Sequence, residues 1–277
     1  IIEVVKREVV PAIGCTEPIA VALCVARATE LLGTQPKKII ALLSANILKN
    51  AMGVGIPGTG MVGLPIAISL GALIGKSEYG LEVLRDCCPE AVAAGKKFIA
   101  EDRINIGLKT GIKEKLYIEV IAEADGYSAT AIISGGHTNF VYEVYDGKVL
   151  LDKMHSVGGG EDHKDDDVKL TLSMVYDFAT TAPIEEISFI MEARKYNEAA
   201  AEQSLKGNYG HELGKVLSRP LGRGIMGDSI FSHILSSTSC ACDARMAGAM
   251  IPVMSNSGSG NQGICATNPV VVFAEAN

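Results

Sequence analysis

The sequence has 277 residues, 48% of them apolar, and a formal net charge of -7. That length and apolar content exclude a disordered chain and leave room for one large domain or two. The acidic balance excludes nucleic acid as the main partner, because phosphate binding needs a cationic surface.

The first 34 residues read as helices. "IIEVVKREVV" has helical apolar spacing, and "TEPIAVALCVARATELLG" offers Thr16 as N-cap, Pro18 in the first turn and Gly33 as the stop. "KIIALLS", 38–44, reads as a strand, with a helix as the alternative. A glycine-rich loop and a buried helix follow to residue 75. The most apolar run, "GMVGLPIAISLGALIG" at 60–75, is shorter than the roughly 20 residues a spanning helix needs. It is also interrupted by Pro65 and four glycines, so no membrane segment is expected. Two more helices are predicted near 79–86 and 89–101.

From about 104 to 153 the pattern alternates, with Asp125-Gly126 and Asp146-Gly147 at hairpin positions. This predicts an antiparallel sheet of three or four strands. "GGGEDHKDDD", around 158–167, reads as a charged linker. Helices are expected again at 167–178, 183–204, 210–217 and 228–250. The helix–sheet–helix order argues for an α+β protein, a mainly helical catalytic region with an inserted small antiparallel β-sheet domain. The expected division is 1–103, 104–157 and 158–277.

Seven cysteines are an odd number in a long chain with no charged-then-apolar leader, which favours reduced thiols and a cytoplasmic location. The start at Ile1 without an initiator Met, and the end at Asn277 just after an apolar run, are expected of a piece of a longer protein. Cys24 lies in "IAVALCVA" and reads as core. Cys87 and Cys88 end a helical stretch before Pro89. Cys15, Cys240, Cys242 and Cys265 lie beside Gly, Ser, Thr or Asp, where a thiolate can do chemistry. Cys240-x-Cys242 has no second pair at zinc-ribbon spacing, which argues against a zinc site.

"SNSGSGNQG", 255–263, contains Gly258-x-Gly260-x-x-Gly263, the glycine spacing of a dinucleotide loop, and the same spacing recurs from Gly53 and from Gly58. A nucleotide fingerprint needs a strand before it, a helix after it and an acidic residue about 20 positions on. Only 14 residues follow Gly263, and "TNPVVVF" reads as a poor start for a phosphate-facing helix. The loop is therefore not read as a nucleotide site. Its backbone N–H groups and short side chains suit a small anion such as a carboxylate, and an ordinary turn is the equal alternative. His137, after two glycines in "SGGHTN", either projects into a cleft or is structural. His155 and His163, flanking the charged linker, read as solvated. Asp243 and Arg245 read as an intrahelical pair, or else as a clamp for a substrate carboxylate.

Taken together and in order, "AIGCTEP", "SANILKNAMGVGIPGTG", "SGGHTN" and "CACDARMAGAMIPVMSNSGSGNQG" resemble L-cysteine desulfidase and its relatives, the serine dehydratase α-chain family. Within it the likeness is greatest to a bacterial desulfidase-like branch without a characterised activity. The resemblance covers essentially the whole chain. It implies an oxygen-sensitive [4Fe-4S] lyase that takes hydrogen sulfide from cysteine or water from serine, leaving pyruvate and ammonia. Such a cluster holds three thiolates and one open iron. Cys15 matches the N-terminal cysteine of that set, and the other two family ligands lie C-terminal to Asn277, so Cys240, Cys242 and Cys265 are not assigned to the cluster.

With the site so located, His137 is expected as the base or a substrate contact, flanked by Ser134 and Thr138. Ser255, Ser257, Ser259, Asn261 and Gln262, with the N–H groups of Gly258 and Gly260, would hold the carboxylate or amine. Glu17 would organise its neighbour Cys15 or answer the helix dipole. The expected partner is a small amino acid, with no nucleic acid and no membrane, and self-association into a homo-oligomer is compatible with the pattern. Two rival readings stand beside this one. "SGNQG" is similar to the carboxylate loop of fold-type-II pyridoxal phosphate dehydratases, with Lys49 for a Schiff base, although 210 residues separate Lys49 from Ser259. A non-catalytic amino-acid-binding module is the other.

Overall fold

The computed structural model describes residues 1–154 and 169–277. The predicted charged linker, His155 and His163 lie outside the described residues. The fold is α+β, as its order of elements predicted. It divides into two compact units: the described residues of 13–162 and 246–250 form one, and those of 1–12, 163–245 and 251–277 form the other.

The first unit is built on α2 (Thr16–Leu32) and a six-stranded sheet. The strands are β2 (Lys38–Leu43), β5 (Ile104–Leu108), β6 (Tyr117–Ala124), β7 (Tyr127–Ser134), β8 (Phe140–Tyr145) and β9 (Lys148–Asp152), in the order β5-β2-β6-β7-β8-β9. The two predicted hairpins form. Asp125 and Gly126 have φ of 53° and 86°, and Asp146 and Gly147 have 44° and 77°. Two consecutive left-handed residues match the right-handed twist of the flanking strands. The sheet is larger than predicted and is mixed, because β2 enters between β5 and β6. It pairs parallel with β5 (Ile39 with Ile104) and antiparallel with β6 (Ile39 with Ala122). Alternation within a strand declares its faces and says nothing of a distant partner.

Helix α2 is buried on nearly every side. Its Cys24 thiol points at the carbonyls of Ile118 and Ala131 in β6 and β7. Two residues along a helix turn by about 200°, so Ala22 and Ala26 face the other way. There they meet α4 (Leu64–Leu73), the buried helix expected within 60–75. A Cβ on Gly71 would lie 2.6 Å from the Ala22 carbonyl oxygen, and one on Gly75 would lie 2.8 Å from the Ala26 Cβ. The helices approach this closely only because those side chains are missing. On the far side of α4 lies α5 (Pro89–Ala100), where a Cβ on Gly95 would fall 2.9 Å from the Ser69 hydroxyl. Among the described residues, no helix is long and apolar enough to cross a membrane.

Several boundaries differ from expectation. The N-cap of α2 is Cys15, and Thr16 is already helical. The helix predicted near 79–86 is a 3-10 segment, Ser77–Glu82, broken where Gly80 takes φ 53°.

The other unit is mainly helical. It contains α1 (Ile2–Glu8), α6 (Leu172–Thr181), α7 (Ile184–Ile187), α8 (Met191–Lys206), α9 (Leu213–Ser218), α10 (Pro220–Met226), α11 (Ile230–Met246) and α12 (Gly260–Ala276). Its core gathers Ala200 and Ala201 of α8, Cys240 and Ala241 of α11, Val253 of the short strand β10 (Pro252–Met254), and Ile264 of α12. Helix α12 corrects the reading of "TNPVVVF" as a poor helix start. The helix begins upstream, where the Ser259 hydroxyl accepts from the Gln262 N–H, and it carries Pro269 inside it.

One ion pair ties α2 to the sheet. Arg27 donates through Nε and Nη2 to both carboxylate oxygens of Glu143 in β8, at 2.8 and 2.7 Å. The Glu143 side chain is 9% exposed and that of Arg27 is 34% exposed. Removing one member of a buried pair strands the other charge. Arg27→Ala is therefore expected to destabilise this unit by about 2 kcal/mol, below the fully buried case because Arg27 is partly solvated. The check is a lower urea midpoint, with Arg27→Lys falling in between.

Candidate functional site

The turn that carries Cys15 is set by its neighbours. Gly14 has φ 79°, and a Cβ there would fall 2.4 Å from the Pro57 ring. The "GCTEP" turn therefore rests on the glycine-rich loop of the same unit. Cys15 then caps α2 without a side-chain cap bond, which leaves its thiol to other work. The thiol is buried and donates to Glu17 Oε2 at 3.0 Å, while the Thr16 hydroxyl donates to the same oxygen at 3.2 Å. Asn50, on α3 (Ala45–Ala51), donates to the second oxygen, Glu17 Oε1, at 3.3 Å.

Burial works to raise the Glu17 pKa. The Cys15 hydrogen bond, the backbone N–H of Glu17 itself, the charge of His137 and the Thr16 hydroxyl outweigh it, so the carboxyl is held below its ordinary value. Cys15 and Glu17 of "AIGCTEP" and His137 of "SGGHTN" thus lie in one unit. Asn50 was missed, because a half-buried Asn in "ANILKNA" has no pattern that sets it apart from a surface residue.

His137 is half-buried in the turn between β7 and β8. That turn is closed by its own groups: Ser134 N–H donates to the Asn139 carbonyl, and Asn139 Nδ2 donates to the Ser134 carbonyl. Ser134 is buried with its hydroxyl toward the Leu116 carbonyl, and Thr138 is exposed. Lys49, the rival Schiff-base residue, is exposed on α3.

The loop 255–263 belongs to the other unit. Ser255 is fully buried, and both its N–H and its hydroxyl donate to the Val10 carbonyl. The Ser257 hydroxyl donates to Asn256 Oδ1, and Ser259 caps α12. Gln262 is exposed and Asn261 is half-buried. The three glycines have distinct reasons. Gly258 takes φ 75°, a Cβ on Gly260 would fall 2.2 Å from Arg245 Nε, and a Cβ on Gly263 would fall 1.9 Å from the Met254 carbonyl oxygen. A strand does precede this loop and a helix does follow it. In a dinucleotide loop the second glycine admits the pyrophosphate; here the buried Arg245 side chain fills that approach.

Arg245 has a partner that its place in the sequence did not suggest. Its Nη1 donates to Asn261 Oδ1 at 2.9 Å. A second residue escaped the sequence reading. Asn197 of α8, wholly buried, accepts from the Met254 N–H through Oδ1 at 2.8 Å and donates to the Gly263 carbonyl at 3.4 Å. It holds both ends of the loop.

Residue types decide which part of an iron–sulfur cluster these groups fit. Cys15 offers one soft thiol donor, with Glu17 in contact to receive its proton, and so fits a single cluster corner. Among the described residues, no three His, Cys, Asp or Glu side chains assemble as a metal site.

Residues 78–277 match the family described as serine dehydratase alpha chain. Among curated relatives, a UPF0597 protein of Bacteroides thetaiotaomicron is 68% identical over 277 residues, covering 100% of this chain and 64% of the relative. A UPF0597 protein of Parabacteroides distasonis is 56% identical, covering 99% of this chain and 64% of the relative. That of Porphyromonas gingivalis is 50% identical with the same coverage. The chain thus spans 64% of the length of these relatives. No solved structure matches it.

Asn197→Ala would take away the acceptor of the buried Met254 N–H, a cost of about 1–3 kcal/mol, while the Gly263 carbonyl keeps the Thr267 hydroxyl at 2.8 Å. Amide exchange at Met254 and through 259–263 is expected to speed up by one to two orders of magnitude. Exchange within β6 and β7 should stay as in the parent.

Proposed function

The chain belongs to the serine dehydratase alpha chain family, and from that premise we propose that the full-length protein is an iron–sulfur-dependent amino-acid lyase. Its reaction would be L-cysteine plus water giving hydrogen sulfide, pyruvate and ammonia, or L-serine giving pyruvate and ammonia. The observation that carries this reading is the contact of Cys15, Glu17 and Asn50 at the N-terminus of α2, with the charge of His137 acting on the Glu17 carboxyl.

Each group has a role that its surroundings favour. Cys15 would supply one thiolate to a [4Fe-4S] cluster, at a helix N-terminus where negative charge is stabilised. Glu17 would hold the proton that Cys15 gives up, and Asn50 and Thr16 keep its carboxylate aimed at the sulfur. When bound, the cluster supplies an open iron that acts as a Lewis acid toward the leaving sulfur or oxygen. His137 is the base that removes the α-proton, an imidazole on a turn otherwise closed by its own hydrogen bonds. The aminoacrylate so formed tautomerises and hydrolyses in water. Ser134 and Thr138, on the same turn as His137, are assigned to substrate contact.

Recognition of a small carboxylate is assigned to the loop 255–263. There the N–H groups of Gly258 and Gly260 and the side chains of Ser257, Ser259, Asn261 and Gln262 are the available donors. Ser255 enters that assignment through its place in the loop, its hydroxyl being bonded to Val10. The odd number of cysteines supports reduced thiols and a compartment such as the cytoplasm.

The test is an anaerobic assay of full-length, iron-reconstituted protein for sulfide and pyruvate from L-cysteine and L-serine. Iron-dependent pyruvate is expected, lost in Cys15→Ala while the circular dichroism spectrum is kept. His137→Ala is expected to lower kcat/KM by about 100-fold or more, the usual worth of a positioned base. Turnover that needs no iron and stops on borohydride reduction would replace this reading with pyridoxal phosphate chemistry. Stabilisation by cysteine with no pyruvate formed would replace it with a binding module.

A further inference from the structure

Helices α11 and α12 are cross-linked by a short series of side-chain contacts, all within the mainly helical unit. At one end Asn268 Nδ2 donates to Ser237, reaching its hydroxyl at 3.3 Å. At the other end Arg245 donates to Asn261 at 2.9 Å. Three residues before Arg245 on α11 stands Cys242, and four residues after Asn261 on α12 stands Cys265. Those spacings put each cysteine on the same helix face as the neighbouring contact. The two thiols therefore oppose each other between the two amide contacts, near enough for Cys265 to act on the Cys242 thiol.

The two sulfurs differ in access. Cys265 is exposed, whereas Cys242 is half-buried against the core formed by Ala200, Ala241 and Ile264. The backbone at Cys265 also has latitude. Pro269 lacks an N–H, so the carbonyl of Cys265 has no donor four residues on, and the helix ladder misses a rung at that residue.

We propose that Cys242 and Cys265 form a reversible oxidation site, closing to a disulfide under hydrogen peroxide and locking α12 to α11 one turn behind the glycine loop. The Cys265 sulfur attacks one peroxide oxygen, the O–O bond breaks and water leaves, giving a sulfenic acid. The Cys242 sulfur then attacks the Cys265 sulfur, and the S–O bond breaks with loss of a second water. Two thiols and one peroxide become one disulfide and two waters, with sulfur oxidised and peroxide oxygen reduced. The order follows from access. Burial, followed by the neighbouring Cys265, pushes the Cys242 thiol up to about 12, so Cys242 is a poor first nucleophile.

The site is independent of the lyase reading, since none of its chemistry involves Cys15 or turnover. It is tested on the full-length protein by brief exposure to hydrogen peroxide, alkylation, proteolysis and peptide mass mapping. The expected product is a Cys242–Cys265 cross-linked peptide lacking two hydrogens, abolished by dithiothreitol. In Cys242→Ser the sulfenic acid on Cys265 should persist and be trapped by dimedone. Cys265→Ser should leave Cys242 alkylatable after the same exposure. The proposal is overturned if the parent protein carries sulfinic acid on Cys265 while Cys242 remains free. It is equally overturned if Cys265 pairs with exposed Cys88 of another molecule, seen as a dithiothreitol-sensitive dimer.

Discussion

The close approach of α2 and α4 governs the sheet-containing unit. Two helix backbones meet where Gly71 faces Ala22 and Gly75 faces Ala26, and neither position has space for a larger side chain. Dispersion falls off steeply with distance, so each tenth of an ångström gained along such a seam multiplies over many atom pairs. The scarcity of aromatic residues, 5% of the chain with no Trp, fits this mode of packing. With α4 on one side and β6 and β7 on the other, α2 has little freedom to slide or rotate. Its first turn is fixed in consequence, and with it the Cys15 thiol, the Glu17 carboxylate and their hydrogen bonds to Thr16 and Asn50.

The mainly helical unit achieves definition by other means. Its glycine loop is held from α8 by the two hydrogen bonds of Asn197 and from α11 by the guanidinium of Arg245. Both are buried polar groups with directional partners, the kind of contact that specifies one arrangement where apolar packing alone tolerates several. Gly260 and Gly263 are then required by what lies against them, and only Gly258 by its own backbone angle.

Much of this was legible from local chemistry. Asp125-Gly126 and Asp146-Gly147 predicted their hairpins because few residue pairs accept two consecutive positive φ angles. Gly33 ended α2 with φ 73°, as an αL stop should. The family motifs led to Cys15, Glu17 and His137. Other features depended on distant partners and had no local signature. Nothing in "KIIALLS" shows that it would separate β5 from β6, and nothing in "KYNEAA" marks Asn197 as a buried bridge. The hydrogen bond from Arg245 to Asn261 likewise spans 16 residues, and nothing local to either residue announces it. The start of α12 lies upstream of "TNPVVVF", at the Ser259 cap, and Pro269 sits within the helix.

The assignment of the α2 N-cap to a thiol has a thermodynamic side. Ser, Thr, Asp and Asn are the residues that best satisfy the free N–H groups of a first turn, and giving up such a cap costs on the order of 1 kcal/mol. Thr16 is adjacent and could have served had the helix begun one residue later. The fold instead spends that residue inside the helix and leaves the boundary to a sulfur that makes no cap bond. A Cys15→Ser protein would thus be expected to fold at least as firmly as its parent while losing the soft donor, so that robustness and reactivity at this one position run in opposite directions.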